Sequence, residues 1–419
     1  MRFIHASDLH IDSPLRGLDR YDGAPVDRLR SATRSALERL VDRALTERVD
    51  FLLLAGDIYD RDWQDFHTGL FFRGQMVRLE RAGIRCFIVQ GNHDAQGVIS
   101  RQLTLPSNVT VFSSRAAQTI RLDDLSVAIH GRSFPEREVN EDLVPSYPPP
   151  VSGYFNIGLL HTSLTGRAGH DTYAPTDLPT LVAKGYDYWA LGHVHAREVL
   201  NERPRIVFCG NLQGRHAKET GAKGCELVTV EAGRVEAEFI ALDMVRWSQL
   251  SVPLDGVDRL ESLNEAFARA LEPVLAGTTD RLHAVRVTLT GSTELHRLEA
   301  AQPGTLAAAM HAAAQDIGTA EIWIEQVRLD LSTPLDRAQA AQRQDAVGEL
   351  VRLVDTIAGD DQELMRRAQV ELGDLLGTMP AEVTAGDVPR LDDPAELRSL
   401  LMDAEATVLA RLSAPGEDA

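Results

Sequence analysis

Residues 51–60 read FLLLAGDIYD, which is five apolar residues, a glycine and then two aspartates separated by two positions. An apolar run without alternation is typical of a strand that is buried on both faces. Carboxylates that follow such a strand lie at its carboxyl end, where α/β sheets bind ions and substrates. The segment therefore predicts an α/β fold with an acidic site at one edge of a sheet.

Four further apolar runs end in the same way, in residue types that bind metal ions. A single motif of this kind is a weak signal, because an isolated histidine after a strand is more often a packing residue than a ligand. Five in order are not expected from packing alone. The other four are Phe3–Ala6 before Asp8 and His10, Cys86–Val89 before Asn92, His93 and Asp94, Ile157–Leu160 before His161, and Tyr188–Leu191 before His193 and His195.

The side chains in these loops are carboxylates, an amide and imidazoles, without a thiolate. Seven candidate ligands are too many for one tetrahedral ion and suit two ions that share a carboxylate. This donor set favours two divalent ions, Mn²⁺ first with Fe²⁺ or Zn²⁺ as alternatives. Such a pair would bind phosphate and lower the pKa of a bridging water. The candidate ligands are Asp8, His10, Asp57, Asn92, His161, His193 and His195.

The pattern of apolar residues divides the chain into three predicted regions. Strands that alternate with helices over residues 1–245 predict a mixed α/β sandwich. Residues 246–333 predict a small α+β domain. Residues 334–419 carry few strand signals and predict helices, which serve either as a stabilising extension or as a docking surface.

Composition excludes several classes of protein. No run reaches the ~18 apolar residues of a membrane span, and Asp8 comes too early for the apolar region of a signal peptide. The cysteines Cys86, Cys209 and Cys225 form no CxxC pair, so neither a disulfide framework nor a zinc–thiolate site is expected. We therefore expect a protein of the reduced cytoplasm.

Charge and histidine are distributed unevenly. Residues 1–250 hold 29 Lys and Arg against 32 Asp and Glu, a net charge of −3, whereas residues 251–419 hold 14 against 30, a net charge of −16. Ten of the 13 histidines precede residue 217, so the chemistry is expected in the first part. The acidic second part argues against autonomous nonspecific DNA binding, which depends on neutralising phosphates.

A short segment after the HxH motif is locally basic. We predict that it contacts a phosphate backbone through Arg215 and His216, which lie in a Gly-rich turn; a solvated hairpin is the alternative. His170 and Tyr173 follow the candidate ligand His161 and are expected to line the substrate groove. The cations of residues 197–223 are Arg197, Arg203, Arg205, Arg215, Lys218 and Lys223, against three glutamates.

Taken in order, these motifs resemble those of the calcineurin-like metallophosphoesterases, and more narrowly those of the SbcD/YhaO branch of DNA-repair exonucleases. The resemblance is clear over residues 1–230, extends to 246–330 as the capping domain of these nucleases, and is unspecific beyond. It implies a four-layer metallophosphoesterase sandwich, with mixed β-sheets flanked by helices. The narrower match rests on DLHIDSP at 8–14, GDIYDRDW at 56–63 and GNLQGRH at 210–216.

The resemblance also implies a role for each residue. His93 would protonate the leaving 3′-oxygen or steady the pentacoordinate phosphorus. DNA would be the substrate and an SMC-like ABC ATPase the partner, and this partner or a second copy of the chain, as a homodimer, would dock on the helices after residue 335. One ion would be held by Asp8, His10, Asp57 and His195, and the other by Asp57, Asn92, His161 and His193.

These observations predict a two-metal DNA nuclease of DNA repair. A phosphomonoesterase or cyclic-nucleotide phosphodiesterase on the same fold is the alternative, although its catalytic domain would not need the region 246–333. A metal-free scaffold on this fold is expected to lack some of the candidate ligands, whereas all seven are present. Exonuclease and endonuclease activity both stay open at this point.

Overall fold

The computed structural model describes residues 1–13, 23–60, 66–95, 104–164, 173–278, 280–378 and 390–413. Contacts between residues divide the chain into two compact units. The first unit contains Met1–Ser248 and Asp280–Ala284, and the second contains Gln249–Thr279 and Val285–Ala419.

Two six-stranded sheets and three described helices form the first unit. In spatial order the first sheet contains β12 (Arg234–Ala241), β11 (Gly224–Glu231), β1 (Arg2–Ala6), β2 (Phe51–Ala55), β3 (Arg85–Val89) and β4 (Val109–Val111). The second contains β5 (Gln118–Leu122), β6 (Val127–Gly131), β7 (Phe155–His161), β8 (Tyr188–Gly192), β10 (Arg205–Phe208) and β9 (Glu198–Glu202). The helices are α1 (Val26–Glu47), α2 (Phe66–Arg81) and α3 (Leu178–Ala183).

The alternating side chains of β2 show why this strand is apolar throughout. Leu52 and Leu54 pack with the helices α1 and α2 on one face of the first sheet. Phe51 and Leu53 pack on the other face, between the two sheets. A third apolar cluster around Trp189 covers the far face of the second sheet. The first unit is therefore the four-layer α/β sandwich that the sequence predicts.

The strands that precede the five motifs run in parallel. Strand β1 pairs in parallel with β2 and β2 with β3, while β7 pairs in parallel with β8. The carboxyl ends of β2 and β8 meet at Gly192, where a Cβ atom would overlap the carbonyl oxygen of Ala55. Only glycine permits this approach, and it brings the loops after both sheets to one place.

A three-stranded sheet and seven helices make up the rest of the described chain. Phe267, Val287, Met310 and Ile324 are among the residues that form its core. The sheet contains β13 (Val245–Pro253), β14 (Leu282–Ser292) and β15 (Glu321–Ser332), in that order. The helices are α4 (Leu260–Leu275), α5 (Leu295–Ala301), α6 (Thr305–Asp316), α7 (Arg337–Ala341), α8 (Ala346–Ala358), α9 (Asp361–Thr378) and α10 (Pro394–Ser413). The helical C-terminal region is confirmed.

The sequence pattern missed five of these elements: β5, β9, β12, α3 and α5. The three strands lie at the edges of the two large sheets, and their sequences mix polar with apolar residues because the strands are partly exposed. Such strands lack the apolar run that marks a strand buried on both faces.

Among the described helices, none combines the length and the hydropathy that crossing a membrane would require.

Candidate metal centre

The loop after β1 presents Asp8 and His10 through an uncommon backbone conformation. Their φ angles are 52° and 42°, in the left-handed region that residues other than glycine rarely adopt. Hydrogen bonds to the neighbouring loop hold this conformation: Asp8 N donates to Gly56 O, and His10 N donates to Asp57 O, each at 3.0 Å. Backbone of this kind occurs at functional sites, where surrounding contacts maintain it.

Asp57 follows β2 in the same conformation, with a φ angle of 53°. Its Oδ1 accepts a hydrogen bond from the backbone N–H of His93 at 2.9 Å. A Cβ atom at Gly91 would overlap both the Asp57 carboxylate and the His161 ring. Glycine at this position therefore lets the loop after β3 approach the carboxylate closely.

Asp94 fastens the loops after β2 and β3 to each other. Its buried carboxylate accepts hydrogen bonds from the backbone N–H groups of Ile58 at 3.1 Å, Tyr59 at 3.0 Å and Gly91 at 3.2 Å. Asp94 therefore positions the two loops rather than facing a bound ion.

Asp8, His10 and His195 form a first group that fits a cation. One potential ligand atom of each lies within 4.8 Å of the others, and the Nε2 atoms of His10 and His195 are 3.2 Å apart. Nδ1 of His195 donates to Glu219 Oε1 at 2.6 Å. This contact fixes the tautomer so that Nε2 offers its lone pair, as in many metal-bound histidines.

Asp57, His161 and His193 form a second group of the same kind. Nδ1 of His161 donates to Ala55 O at 2.9 Å, so the Nε2 of the neutral ring carries a lone pair. That Nε2 lies 3.0 Å from Asn92 Oδ1 and 3.5 Å from Asp57 Oδ2. Three atoms that can accept hydrogen bonds converge there, an arrangement that a cation would stabilise.

Asp57 faces both groups. Its Oδ2 lies 3.8 Å from Nε2 of His10 in the first group and 3.5 Å from Nε2 of His161 in the second. Burial, together with the nearby charges of Asp94 and Asp8, raises the pKa of Asp57 to about 8. Cations on both sides would compensate this buried charge, so the residues present fit a centre of two divalent ions.

His93 lies next to the first group, in a cluster with His10 and Asp60. Its Nδ1 is 2.7 Å from Asp60 Oδ1, and Asp60 Oδ2 accepts a hydrogen bond from Ser13 Oγ at 2.5 Å. Burial alone would raise the pKa of Asp60, but the neighbouring imidazoles of His10 and His93 and the hydroxyl of Ser13 hold this pKa well below its usual range. With Nδ1 held by a carboxylate, Nε2 of His93 is the atom available for proton transfer.

Arg215 lies among these side chains rather than on a separate surface. Its guanidinium nitrogens lie 3.6 Å from Asp60 Oδ2, 3.6 Å from Glu219 Oε1 and 3.5 Å from His195 Nδ1. Within the described part of the chain, the Nε of Arg215 makes no hydrogen bond. His216 is exposed, with Nε2 3.6 Å from Glu219.

The expected basic surface over residues 197–223 is wrong in part, because three of its six cations are used inside the fold. Arg197 and Arg205 pair with the buried Glu226 of β11, at 2.5 and 3.2 Å. The Nζ of Lys223 donates to the carbonyl oxygen of His195 at 2.8 Å. Arg197 and Arg205 join the two sheets through Glu226, and this pairing was not evident from a local charge count.

His170 and Tyr173 were also expected to line the substrate groove. His170 lies outside the described residues. Tyr173 is buried, and its ring packs edge-on against His193 with the ring centroids 5.5 Å apart. Tyr173 therefore supports a candidate ligand.

Glu219 and Asp94 are site residues that sequence reasoning missed. Glu219 counted only as one negative charge within a basic segment, and no local pattern links it to His195, 24 positions earlier. Asp94 was visible in the run GNHD at 91–94, but nothing in that run shows that its carboxylate binds backbone N–H groups of another loop.

Comparisons with known proteins identify the family of the chain. A family model of calcineurin-like phosphoesterases matches residues 1–197, and a model of the middle domain of metallophosphoesterase YhaO matches residues 247–332. The uncharacterized metallophosphoesterase YhaO of Bacillus subtilis is 35% identical over 343 residues, which cover 80% of this chain and 82% of that protein.

A DNA-repair protein and a nuclease subunit are more distant relatives. The DNA double-strand break repair protein Mre11 of Methanopyrus kandleri is 25% identical over 282 residues, covering 60% of this chain and 59% of that protein. The SbcD component of the nuclease SbcCD of Escherichia coli is 24% identical over 283 residues, covering 57% of this chain and 67% of that protein.

Replacing Asp57 by asparagine tests whether this carboxylate serves both ions. We expect the variant to lose more than the ~100-fold in Mn²⁺ affinity that follows removal of an outer-shell group. The metal-free variant should unfold at the same temperature as the metal-free wild type or higher, because a buried charge is removed. Titration calorimetry and thermal unfolding measure these effects, with the exposed Asp124→Asn as control. Two ions bound at wild-type affinity by Asp57→Asn would contradict the assignment.

Proposed function

Because the chain belongs to the calcineurin-like metallophosphoesterases and is a metal-dependent phosphoesterase, we propose that it is a two-metal DNA exonuclease. The observation that carries the proposal is the position of Asp57 between two groups of histidines, with His93 held beside them by Asp60. This arrangement supplies sites for two cations and a separate proton donor, which together suit cleavage of a phosphodiester.

The donor set supports Mn²⁺, with Fe²⁺ and Zn²⁺ as alternatives. When bound, a pair of such ions supplies positive charge to the phosphate and lowers the pKa of a bound water. One ion would be held by Asp8, His10, Asp57 and His195, and the other by Asp57, Asn92, His161 and His193.

The remaining chemistry falls to side chains of the chain itself. A 3′-alkoxide is a poor leaving group, so cleavage of DNA is faster when a proton reaches that oxygen. Asp60 holds Nδ1 of His93 and leaves Nε2 to donate that proton. Arg215 would bind a nonbridging phosphate oxygen, because its guanidinium lies beside Asp60 and His195 of the candidate metal centre and guanidinium matches phosphate geometry. The exposed His216 would contact the substrate farther out.

The choice of DNA as substrate draws on the relatives. Mre11 is by name a DNA double-strand break repair protein, and SbcCD is by name a nuclease. Each match covers at least 57% of this chain, more than the 197 residues that the phosphoesterase model spans. The choice of a nuclease over a phosphomonoesterase or a cyclic-nucleotide phosphodiesterase draws on residues 247–332, which match the middle domain of YhaO and which the catalytic domain of those enzymes would not need.

His93→Ala separates proton donation from metal binding. We expect the wild type with Mn²⁺ to degrade end-labelled linear DNA and to hydrolyse bis-p-nitrophenyl phosphate. The variant should retain both ions and lose about 10²- to 10⁴-fold in DNA cleavage. It should lose much less on the nitrophenyl diester, whose leaving group needs little protonation.

The exposed His311→Ala serves as the control for that experiment. Loss of bound metal in His93→Ala would identify His93 as a ligand instead. Hydrolysis of phosphomonoesters alone by the wild type would refute the nuclease and favour the alternative enzyme class.

We also propose that the C-terminal helices dock an SMC-like ATPase partner. The relative SbcD is by name one part of a larger nuclease. The helices α9 and α10 contact each other and expose apolar side chains, with Val370 65% and Leu375 54% accessible on α9 and Val408 and Leu412 exposed on α10. Exposed apolar side chains on two neighbouring helices are available for contact with such a partner.

Introducing charge on α9 tests this docking. We expect Val370→Asp with Leu375→Asp to weaken association with the ATPase partner at least about tenfold, since charged groups would lose their hydration in an apolar contact. Hydrolysis of the nitrophenyl diester should be unchanged. The control is Gln362→Asp with Gln369→Asp, which adds the same charge to exposed positions of α9. Undiminished binding would exclude α9, and loss of self-association by light scattering would show that a second copy docks there.

A further inference from the structure

Asp12 lies two residues after His10, and both helices of the first layer hold its carboxylate. From α1, Arg34 makes a bidentate pair, with Nε 2.7 Å from Oδ1 and Nη2 2.5 Å from Oδ2. From α2, the buried Thr68 donates its hydroxyl to Oδ2 at 2.5 Å. Asp12 N also donates to Thr33 Oγ1 at 3.1 Å. We call these four residues the Asp12 clamp.

The Asp12 clamp contacts a loop, residues 8–13, whose backbone has an uncommon conformation. The φ angles of Asp8, His10 and Asp12 are all positive, at 52°, 42° and 58°. Between them, Ile11 forms a parallel bridge with Tyr59 of the next loop. Residues other than glycine hold the left-handed region only where surrounding contacts fix them. The carboxylate of Asp12 supplies such contacts, because it is bound by Arg34 of α1 and Thr68 of α2.

Ser13 connects the clamp to the proposed proton donor. It follows Asp12 directly, and its hydroxyl donates to Asp60 Oδ2 at 2.5 Å. The other oxygen of Asp60 lies 2.7 Å from Nδ1 of His93. One peptide unit, the hydrogen bond from Ser13 to Asp60 and the 2.7 Å contact from Asp60 to Nδ1 therefore separate the Asp12 clamp from the imidazole of His93.

We propose that Asp12 is a positioning residue for proton transfer: it fastens the loop 8–13 to α1 and α2 and so fixes Ser13, Asp60 and, through them, His93. The inference rests on the proposed role of His93 as proton donor. The guanidinium of Arg34 also lies 5.0 Å from the centre of the Phe71 ring of α2. Because the clamp is built into the contact between the two helices, the position of these helices determines the position of His93.

Asp12→Asn tests the proposal because it preserves the size of the side chain and removes its charge. We expect kcat on DNA to fall about tenfold while KM changes little, as a small misplacement of a catalytic group has effects of this order or larger. Hydrolysis of bis-p-nitrophenyl phosphate should fall less. In a His93→Ala background the substitution should reduce kcat much less than in the wild type, because the effect that acts through His93 is then absent and only the support of the loop with Asp8 and His10 remains.

Asp42→Asn is the matched control. Asp42 of α1 pairs with Arg78 of α2 at 2.5 Å on the surface, so its loss also removes a link between the two helices. Hydrogen exchange in the full metal-free chain gives a readout independent of activity. Amides of residues 8–13 should exchange about tenfold faster in Asp12→Asn than in the wild type, and at the wild-type rate in Asp42→Asn.

Three results would decide against the proposal. Equal losses on DNA and on the nitrophenyl diester, equal losses with and without His93, or unchanged exchange over residues 8–13 would each overturn it. If Asp12→Asn does not fold, Arg34→Lys replaces it, since lysine retains the charge but not the bidentate geometry, and a smaller loss in the same pattern is expected. If the wild type hydrolyses no phosphodiester, the proposed nuclease fails instead, and exchange alone decides whether Asp12 holds the loop.

Discussion

Asp8 and Asp57 are buried at the ends of two strands, beside four imidazoles that are also candidate ligands: His10, His161, His193 and His195. The burial of these two carboxylates is the constraint on which the rest of the site depends. A carboxylate that loses its hydration needs hydrogen bonds or a cation in return. Asp8 accepts hydrogen bonds from Ser7 Oγ at 2.6 Å and from the backbone N–H of His193. Asp57 accepts one from the backbone N–H of His93 and turns its other oxygen toward His10 and His161. Two cations would satisfy both carboxylates and the lone pairs of the surrounding imidazoles at once.

The fold can accommodate these buried carboxylates because the strand before Asp57 packs against apolar side chains on both of its faces. Leu52 and Leu54 of β2 pack toward the helices, while Phe51 and Leu53 pack between the sheets. The backbone just beyond these strands departs from common conformations: Asp8, His10, Asp57 and His193 all have positive φ angles. Each such residue costs on the order of 1–3 kcal/mol. The apolar core offsets that cost, and bound ions would add stability through mass action.

The convergence of the candidate ligands could be predicted from the sequence, because one physical rule covers all of the loops that carry them. Parallel strands share an edge at their carboxyl ends, so the loops after five apolar runs were expected to converge, and the structure brings Asp57 and His161 to within 3.5 Å. The fold class and the phosphoesterase family are confirmed, whereas the roles of the individual ligands stay predictions. The hydrogen-bond and ion-pair partners that position these side chains could not be predicted from the sequence. Nothing local links Glu219 to His195 or Glu226 to Arg197, because these contacts depend on how two sheets pack.

Anomalous diffraction at the manganese absorption edge, from crystals of the full chain grown with Mn²⁺, tests the central claim most directly. Two peaks are expected, one in contact with Asp8, His10 and His195, the other in contact with Asn92, His161 and His193, and both in contact with the carboxylate of Asp57. A single peak, or a second peak within the cluster of His10, Asp60 and His93, would contradict the claim that Asp57 bridges two ions and that His93 is free to transfer a proton.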